Sequence, residues 1–186
     1  VDSAIETAKT AQEKWSGLTI EERTEILFKA AEVMQKATTE TIAVMSRDAG
    51  KTVAEADPEV AEAIDFARFY ATTAQNFGES TPLGTILVVP PWNFPYAIPM
   101  GGVCAALAAG NTVILKPAPE TVATSWHLVN QLWAAGVPKD VLQFVSTRDD
   151  EIGKSLITHD DVRAVILTGA YSTAELFSSW KDELNL

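Results

Sequence analysis

Asn93 stands inside a corner stiffened by proline, Pro90-Pro91-Trp92-Asn93-Phe94-Pro95. Proline fixes φ and reduces the entropy lost on folding, so side chains on such a corner are held in place. A rigidly held asparagine carboxamide can donate to an oxyanion, which is what acyl-transfer chemistry needs. It can equally be a turn residue bonded to its own backbone. Lys116 closes the apolar run 112–115 and is followed by Pro117-Ala118-Pro119-Glu120-Thr121. An ammonium group there can donate to ribose hydroxyls or to a phosphate; a lysine snorkelling from a strand end is the alternative. Gly169, in Thr168-Gly169-Ala170-Tyr171, follows an apolar run and precedes a helical pattern. Its bare backbone can lie against a pyrophosphate at a helix N-terminus, or it can serve a plain turn.

Other reactive side chains point to less. Cys104, the one cysteine, lies in the small-residue stretch Gly101-Gly102-Val103-Cys104-Ala105-Ala106-Leu107-Ala108-Ala109-Gly110, which reads as a closely packed helix. It is expected to be a core cysteine, not a nucleophile. His127 and His159 have no carboxylate or second histidine at ligand spacing, so both are expected to be solvated and no metal site is expected. Asp149-Asp150-Glu151 reads as a helix start, where acids suit the macrodipole. No G-x-G-x-x-G occurs.

Four short apolar runs must position these groups: Thr85–Val89, Thr112–Leu115, 141–145 and Val162–Leu167. Helical patterns fill the gaps, most plainly Val122–Ala135, where Val122, Trp126, Val129 and Trp133 share a face and Gly136 and Pro138 follow. Strand, helix, strand at this spacing predicts an α/β fold with a parallel sheet buried on both faces. Ligands of such sheets bind beyond the carboxyl ends of the strands, where the candidates fall. Ahead of the sheet, residues 1–80 read as helix. Thr19 and Glu22 form a capping box. Leu27, Ala30, Ala31, Met34, Ala37, Thr41, Ile42 and Met45 then make one apolar stripe ending at Gly50. Asp57-Pro58 marks a second start, followed by Val60, Ala63, Ile64, Ala67, Ala71, Ala74 and Phe77, with Gly78 as the stop. Residues 1–15 form a weaker helix.

With 186 residues, 47% of them apolar, the chain can bury a core without disulfides or metal. Its 14 basic and 25 acidic residues give a net charge of −11, the reverse of a nucleic-acid footprint. No apolar run is long enough for a membrane span. A lone thiol and no export signal imply a cytoplasmic location. The chain opens on Val1 without an initiator methionine, as an excised piece would.

In order along the chain stand Pro91-Trp92-Asn93-Phe94-Pro95, then Ala106-Leu107-Ala108-Ala109-Gly110-Asn111-Thr112-Val113-Ile114-Leu115-Lys116-Pro117, Ala135-Gly136-Val137-Pro138 and Leu167-Thr168-Gly169. Together they resemble the NAD(P)-dependent aldehyde dehydrogenase superfamily, over essentially the whole chain, including Ala49-Gly50-Lys51 and Glu59-Val60. The helix Ala63-Ile64-Asp65-Phe66-Ala67-Arg68-Phe69-Tyr70-Ala71 and the Lys-Pro-Ala-Pro-Glu-Thr segment are most similar to the Δ1-pyrroline-5-carboxylate dehydrogenases of proline catabolism. These include the dehydrogenase part of bifunctional proline-utilisation proteins.

The resemblance implies a helical segment over 1–80 and an incomplete Rossmann-like dinucleotide-binding domain over 81–186. It implies that Asn93 donates to the oxyanion, and that Val89, Pro90, Pro91 and Trp92 run under the cofactor, NAD or possibly NADP. Lys116 would bond the adenosine ribose. Thr168, Gly169 and Ala170 would lie beside the pyrophosphate. The family's acidic ribose partner falls at Pro119, so Glu120 is the candidate replacement. Ala170 stands where many members have serine, and Asp149 where many have glycine, which weakens the bed for a pyrophosphate. The catalytic cysteine and glutamate are expected beyond Leu186, and the activity implied for the parent is oxidation of L-glutamate γ-semialdehyde to glutamate. Self-association and fusion to a proline dehydrogenase domain are further expectations. The alternatives are a non-catalytic nucleotide-binding or scaffolding module, or an aldehyde dehydrogenase of another substrate class.

Overall fold

The order of elements follows the sequence pattern closely. The computed structural model describes residues 1–77, 81–148 and 150–180. Four helices come first: α1 (Asp2–Ser16), α2 (Ile20–Lys36), α3 (Thr38–Ala49) and α4 (Val53–Phe77). Strands and helices then alternate as β1 (Thr85–Val89), α5 (Ala97–Ala108), β2 (Thr112–Leu115), α6 (Val122–Ala135), β3 (Leu142–Phe144), α7 (Glu151–Ile157), β4 (Val162–Leu167) and α8 (Tyr171–Trp180). The sheet order is β3-β2-β1-β4, and every pairing is parallel.

Alternation along the strands divides the core in two. Ile86, Val88, Val113 and Leu115 face α2, α4, α5 and α6. Leu87, Val89, Ile114 and Val165 face the other way, onto Ile5 and Ala8 of α1, Leu156 and Ile157 of α7, and Phe177 of α8. β1 and β2 are buried on both faces, which is why they read as unbroken apolar runs. The first core is continuous across position 80, since α2 and α4 pack on α5, which itself lies on the sheet.

Small residues let α5 come close. A Cβ on Gly102 would sit 2.9 Å from Val88 Cγ1, and one on Gly101 would sit 3.2 Å from Phe66. The facing side of α4 supplies Ala56, Ala63, Ala67 and Ala71, all fully buried.

Several elements depart from the expected pattern. The capping box on Thr19 and Glu22 is formed, but the stripe it starts is carried by two helices. At Ala37 the chain leaves helical geometry (φ −98°, ψ 10°), and Thr38 Oγ1 donates back to the Gln35 carbonyl. Hydroxyl back-bonding of this kind competes with the helical ladder. Gly50 ends α3 in the left-handed conformation, as expected. α4 begins at Val53, not at Asp57, because Glu55 accepts from Thr52 N–H and Oγ1 and fixes an earlier start. Pro58 is therefore inside the helix. Phe77, placed on the apolar stripe, is 84% exposed, and Gly78, its expected stop, lies outside the described residues. On α6 the expected face keeps Val129 buried, but the buried side runs through Thr124, Ser125, Leu128, Gln131, Leu132 and Ala135 as well, while Trp126 is exposed. Trp126 and Trp133 form an edge-to-face pair at its margin. Asp150 caps α7, accepting from Ile152 N and Gly153 N; Asp149 lies outside the described residues.

His127 is not solvated. Half-buried on α6, it places Nε2 3.0 Å from Thr41 Oγ1 and 3.1 Å from Gln131 Nε2, which links α3 to α6. Gln131 in turn accepts from the buried Tyr96 hydroxyl at 2.5 Å. Burial lowers the pKa of the imidazole, against the raising effect of Glu40. A folded-state pKa below the unfolded one gives stability that is complete above about pH 6.5 and is lost as pH falls. The urea midpoint is expected to drop between pH 8 and pH 5.5, and to drop less in His127→Gln. Equal drops in the two proteins would show that another group carries the dependence.

Candidate functional site

Consecutive strands β3 and β4 lie on opposite edges of the sheet, so the crossover leaves a switch point between β1 and β4. Open α/β sheets bind ligands at such a point, beyond the carboxyl ends of the strands. Val89 and Leu167, the last residues of β1 and β4, are register partners. Thr168 N donates to the Val89 carbonyl at 3.1 Å, holding the two outgoing loops together.

A cleft of about 660 Å³ opens there, within the range of small-ligand pockets. Its walls contain all ten residues singled out from the sequence: Val89, Pro90, Pro91, Trp92, Asn93, Lys116, Glu120, Thr168, Gly169 and Ala170. The same walls hold Ile98 and Thr173, which no sequence signal marked, and Phe94, which belongs to the proline corner but was given no role.

Each wall has a local cause. The proline corner carries Trp92 and Asn93 out of β1, and both are exposed. The Asn93 carboxamide does not bond its own backbone, so the turn-asparagine reading is not what the structure shows. Lys116 follows β2 and does not snorkel, with only 1% of its surface exposed. Its N–H donates to the Val88 carbonyl, extending the β1–β2 pairing by one residue. Glu120 is exposed four residues on, in the same cleft as Lys116.

Gly169 is the most informative position. It is not among the glycines with positive φ, so its backbone is open to any residue. A Cβ built on it would meet only Leu167 Cδ1, at 3.9 Å. Neither conformation nor packing demands glycine here. What the missing side chain leaves is room in the cleft, immediately before the N-terminus of α8. Thr173, in the first turn of that helix, adds a hydroxyl to the wall beside Ala170.

A second layer holds the corner. Glu59 of α4, 2% exposed, accepts from Tyr96 N at 2.8 Å and Ala97 N at 3.1 Å, at the start of α5. Lys51 donates to the other Glu59 oxygen and to the Asn93 carbonyl at 3.0 Å. Its ammonium also lies 4.5 Å from the centroid of the Phe94 ring. Sequence reading assigned these two residues no role, since eight residues separate them and neither belongs to a strand end.

Cys104, fully buried on α5, has its thiol pKa pushed up to about 12 by desolvation. Its nearest polar contact is Met100 Sδ at 3.5 Å.

A family model, that of the aldehyde dehydrogenase family, matches residues 1–182. The chain belongs to the aldehyde dehydrogenase family. This aldehyde dehydrogenase chain is 36% identical to 1-pyrroline-5-carboxylate dehydrogenase of Staphylococcus epidermidis, over 93% of its own length and 37% of the relative's. It is 39% identical to the bifunctional protein PutA of Escherichia coli, covering 95% of the chain and 14% of PutA. The structure of proline utilization A from Corynebacterium freiburgense matches all of the chain with a TM-score of 0.89 at 44% identity, over 20% of that protein. The chain thus spans well under half the length of the relatives it matches. Aldehyde dehydrogenases generally use NAD(P). No helix among the described residues is long and apolar enough to cross a membrane.

Proposed function

We propose that the cleft is the dinucleotide bed of an NAD-dependent dehydrogenase that oxidises L-glutamate γ-semialdehyde to glutamate. NADP is the second candidate cofactor. The observation that carries the reading is Gly169, a glycine that the protein's own packing and backbone do not need, opening the cleft at a helix N-terminus. A phosphate suits that position because α8 directs its unpaired N–H groups and the positive end of its dipole there. When bound, the cofactor supplies the hydride acceptor. The chain's own residues do the rest. Lys116 and Glu120 hold the ribose hydroxyls. Thr168, Gly169 and Ala170 line the pyrophosphate path, with the Thr173 hydroxyl offsetting the serine missing at 170. Val89, Pro90, Pro91 and Trp92 form the floor, and Asn93 donates its carboxamide N–H to the oxyanion formed when the aldehyde is attacked.

The substrate assignment rests on resemblance to pyrroline-5-carboxylate dehydrogenases and on the bifunctional relative, which also supports a proline dehydrogenase domain in the same polypeptide. We place the protein in the cytoplasm on the same ground. Helices α2–α4, within residues 1–80, back the dinucleotide domain on the α5 side, and α1 packs through Ile5 and Ala8 on the opposite face of the sheet. Exposed Phe69 and Ile166, the latter on edge strand β4, support self-association.

The test is a titration of the ¹⁵N-labelled chain with NAD. Weak binding is expected, with amide shifts at Val89, Thr168 and Gly169. In Gly169→Val these shifts are expected to fall at least tenfold at equal NAD, while the melting temperature stays within a few degrees. Unchanged binding in that variant, or shifts confined to another face, would overturn the assignment.

A further inference from the structure

We infer that the ion pair Lys51–Glu59 is a positioning device for the Asn93 corner, holding the carboxamide in the cleft wall. The importance of that carboxamide rests on the function proposed above; the mechanical role does not. Residues 90–95 lie between the end of β1 and the start of α5, so neither ladder holds them. Proline restricts φ at three of these positions but supplies no N–H with which to tie the corner down.

The ties come from the helical layer. Lys51 grips the tip of the corner twice, through the Asn93 carbonyl at 3.0 Å and the face of the Phe94 ring at 4.5 Å. Glu59 grips its far end, through Tyr96 N and Ala97 N. The ion pair joins the two grips, so the corner moves only if α4 and the loop after α3 move with it. A main-chain carbonyl held by an ammonium group restricts the backbone at Asn93 and leaves its side chain two torsions of freedom. Without that fixture the corner retains its prolines but not its placement. Lys51 and Glu59 touch the corner and do not line the large cleft, so they act through Asn93.

The test uses the ¹⁵N-labelled chain and the double variant Lys51→Met with Glu59→Gln, which removes both charges at nearly constant shape. The carboxamide oxygen that Glu59→Gln introduces can still accept from Tyr96 N and Ala97 N. The backbone order parameter of Asn93 is expected to fall from the rigid value, roughly 0.85, to below about 0.6. Those of Ile86 and Ile114 in the sheet should not change. Lys51→Arg, which can still reach carbonyl, carboxylate and ring, is expected to restore most of the order at Asn93. A rigid Asn93 in the double variant would overturn the inference. If the double variant unfolds, Glu59→Gln alone decides the matter by the same readout. NAD titration of the wild type runs in parallel: absent shifts at Gly169 would sink the cofactor assignment while leaving the order measurement to judge the strut by itself.

Discussion

Glu59→Ala is expected to cost the chain about 3–5 kcal/mol of stability, the range for removing one partner of a buried ion pair. The large figure follows from where the charges sit. The Glu59 side chain is 1% exposed and that of Lys51 13%. Truncating Glu59 leaves the Lys51 ammonium partly desolvated, with the Asn93 carbonyl, the Phe94 ring and the field of the exposed Glu55 carboxylate as its remaining partners. It also strips the acceptor from Tyr96 N and Ala97 N, two main-chain donors at the start of α5 that have no helical partner. The exposed pair Glu25–Lys29 on α2 is the internal comparison. Removing Glu25 should shift stability by no more than about 0.5 kcal/mol, since exposed helical pairs contribute little. Urea unfolding of the two variants measures the contrast. A loss under about 1 kcal/mol for Glu59→Ala would mean that the pair contributes no more than a surface bridge.

How much of this was readable in the sequence depends on range. The bounds of β1, β2, β4 and α6 match the reading residue for residue, because continuous apolar runs and a C-terminal glycine are local signals. Asn93, Lys116 and Gly169 could be placed along one rim because strand ends in a parallel sheet share a side. The break at Ala37 left no mark, since alanine favours helix and the cause is a threonine hydroxyl bonding backwards. Pro58 misled for the opposite reason. It is a strong local signal, but a start fixed upstream by Glu55 puts it inside the helix, past the first turn, where it gives up its bond to the Ala54 carbonyl.

The polar contacts that hold the site were the least readable. Glu59 meets Tyr96 across 37 positions, Arg23 meets the Ala108 carbonyl across 85, and Gln12 meets Gly110 across 98. No period or spacing encodes such partners. Each looks, in sequence, like any other polar residue on a helix. They have a common function: Arg23 and Gln12 satisfy carbonyls where α5 ends and β2 is about to start, and Glu59 satisfies donors where α5 begins. Both ends of the helix behind the cleft are therefore fastened by side chains from the helical layer.

Cys104 is expected to be close to inert toward thiol reagents in the folded chain and reactive once the chain is unfolded. A thiol with a pKa of about 12 is ionised to roughly one part in 10⁴ at pH 8, against about a quarter for an ordinary cysteine. That difference alone slows attack by about 10³-fold, because the thiolate is the reacting species. Full burial on α5 adds a steric barrier. Cys104 is the only cysteine in the chain, so covalent capture of an aldehyde by a thiolate has no other source within these residues. The chain by itself, mixed with NAD and a semialdehyde, is expected to give no NADH, even though it carries the Asn93 corner. Ellman-type labelling with and without urea measures the first expectation and NADH absorbance the second. Turnover that disappears in Cys104→Ser would show the thiol reaching substrate, and would contradict its burial and its raised pKa.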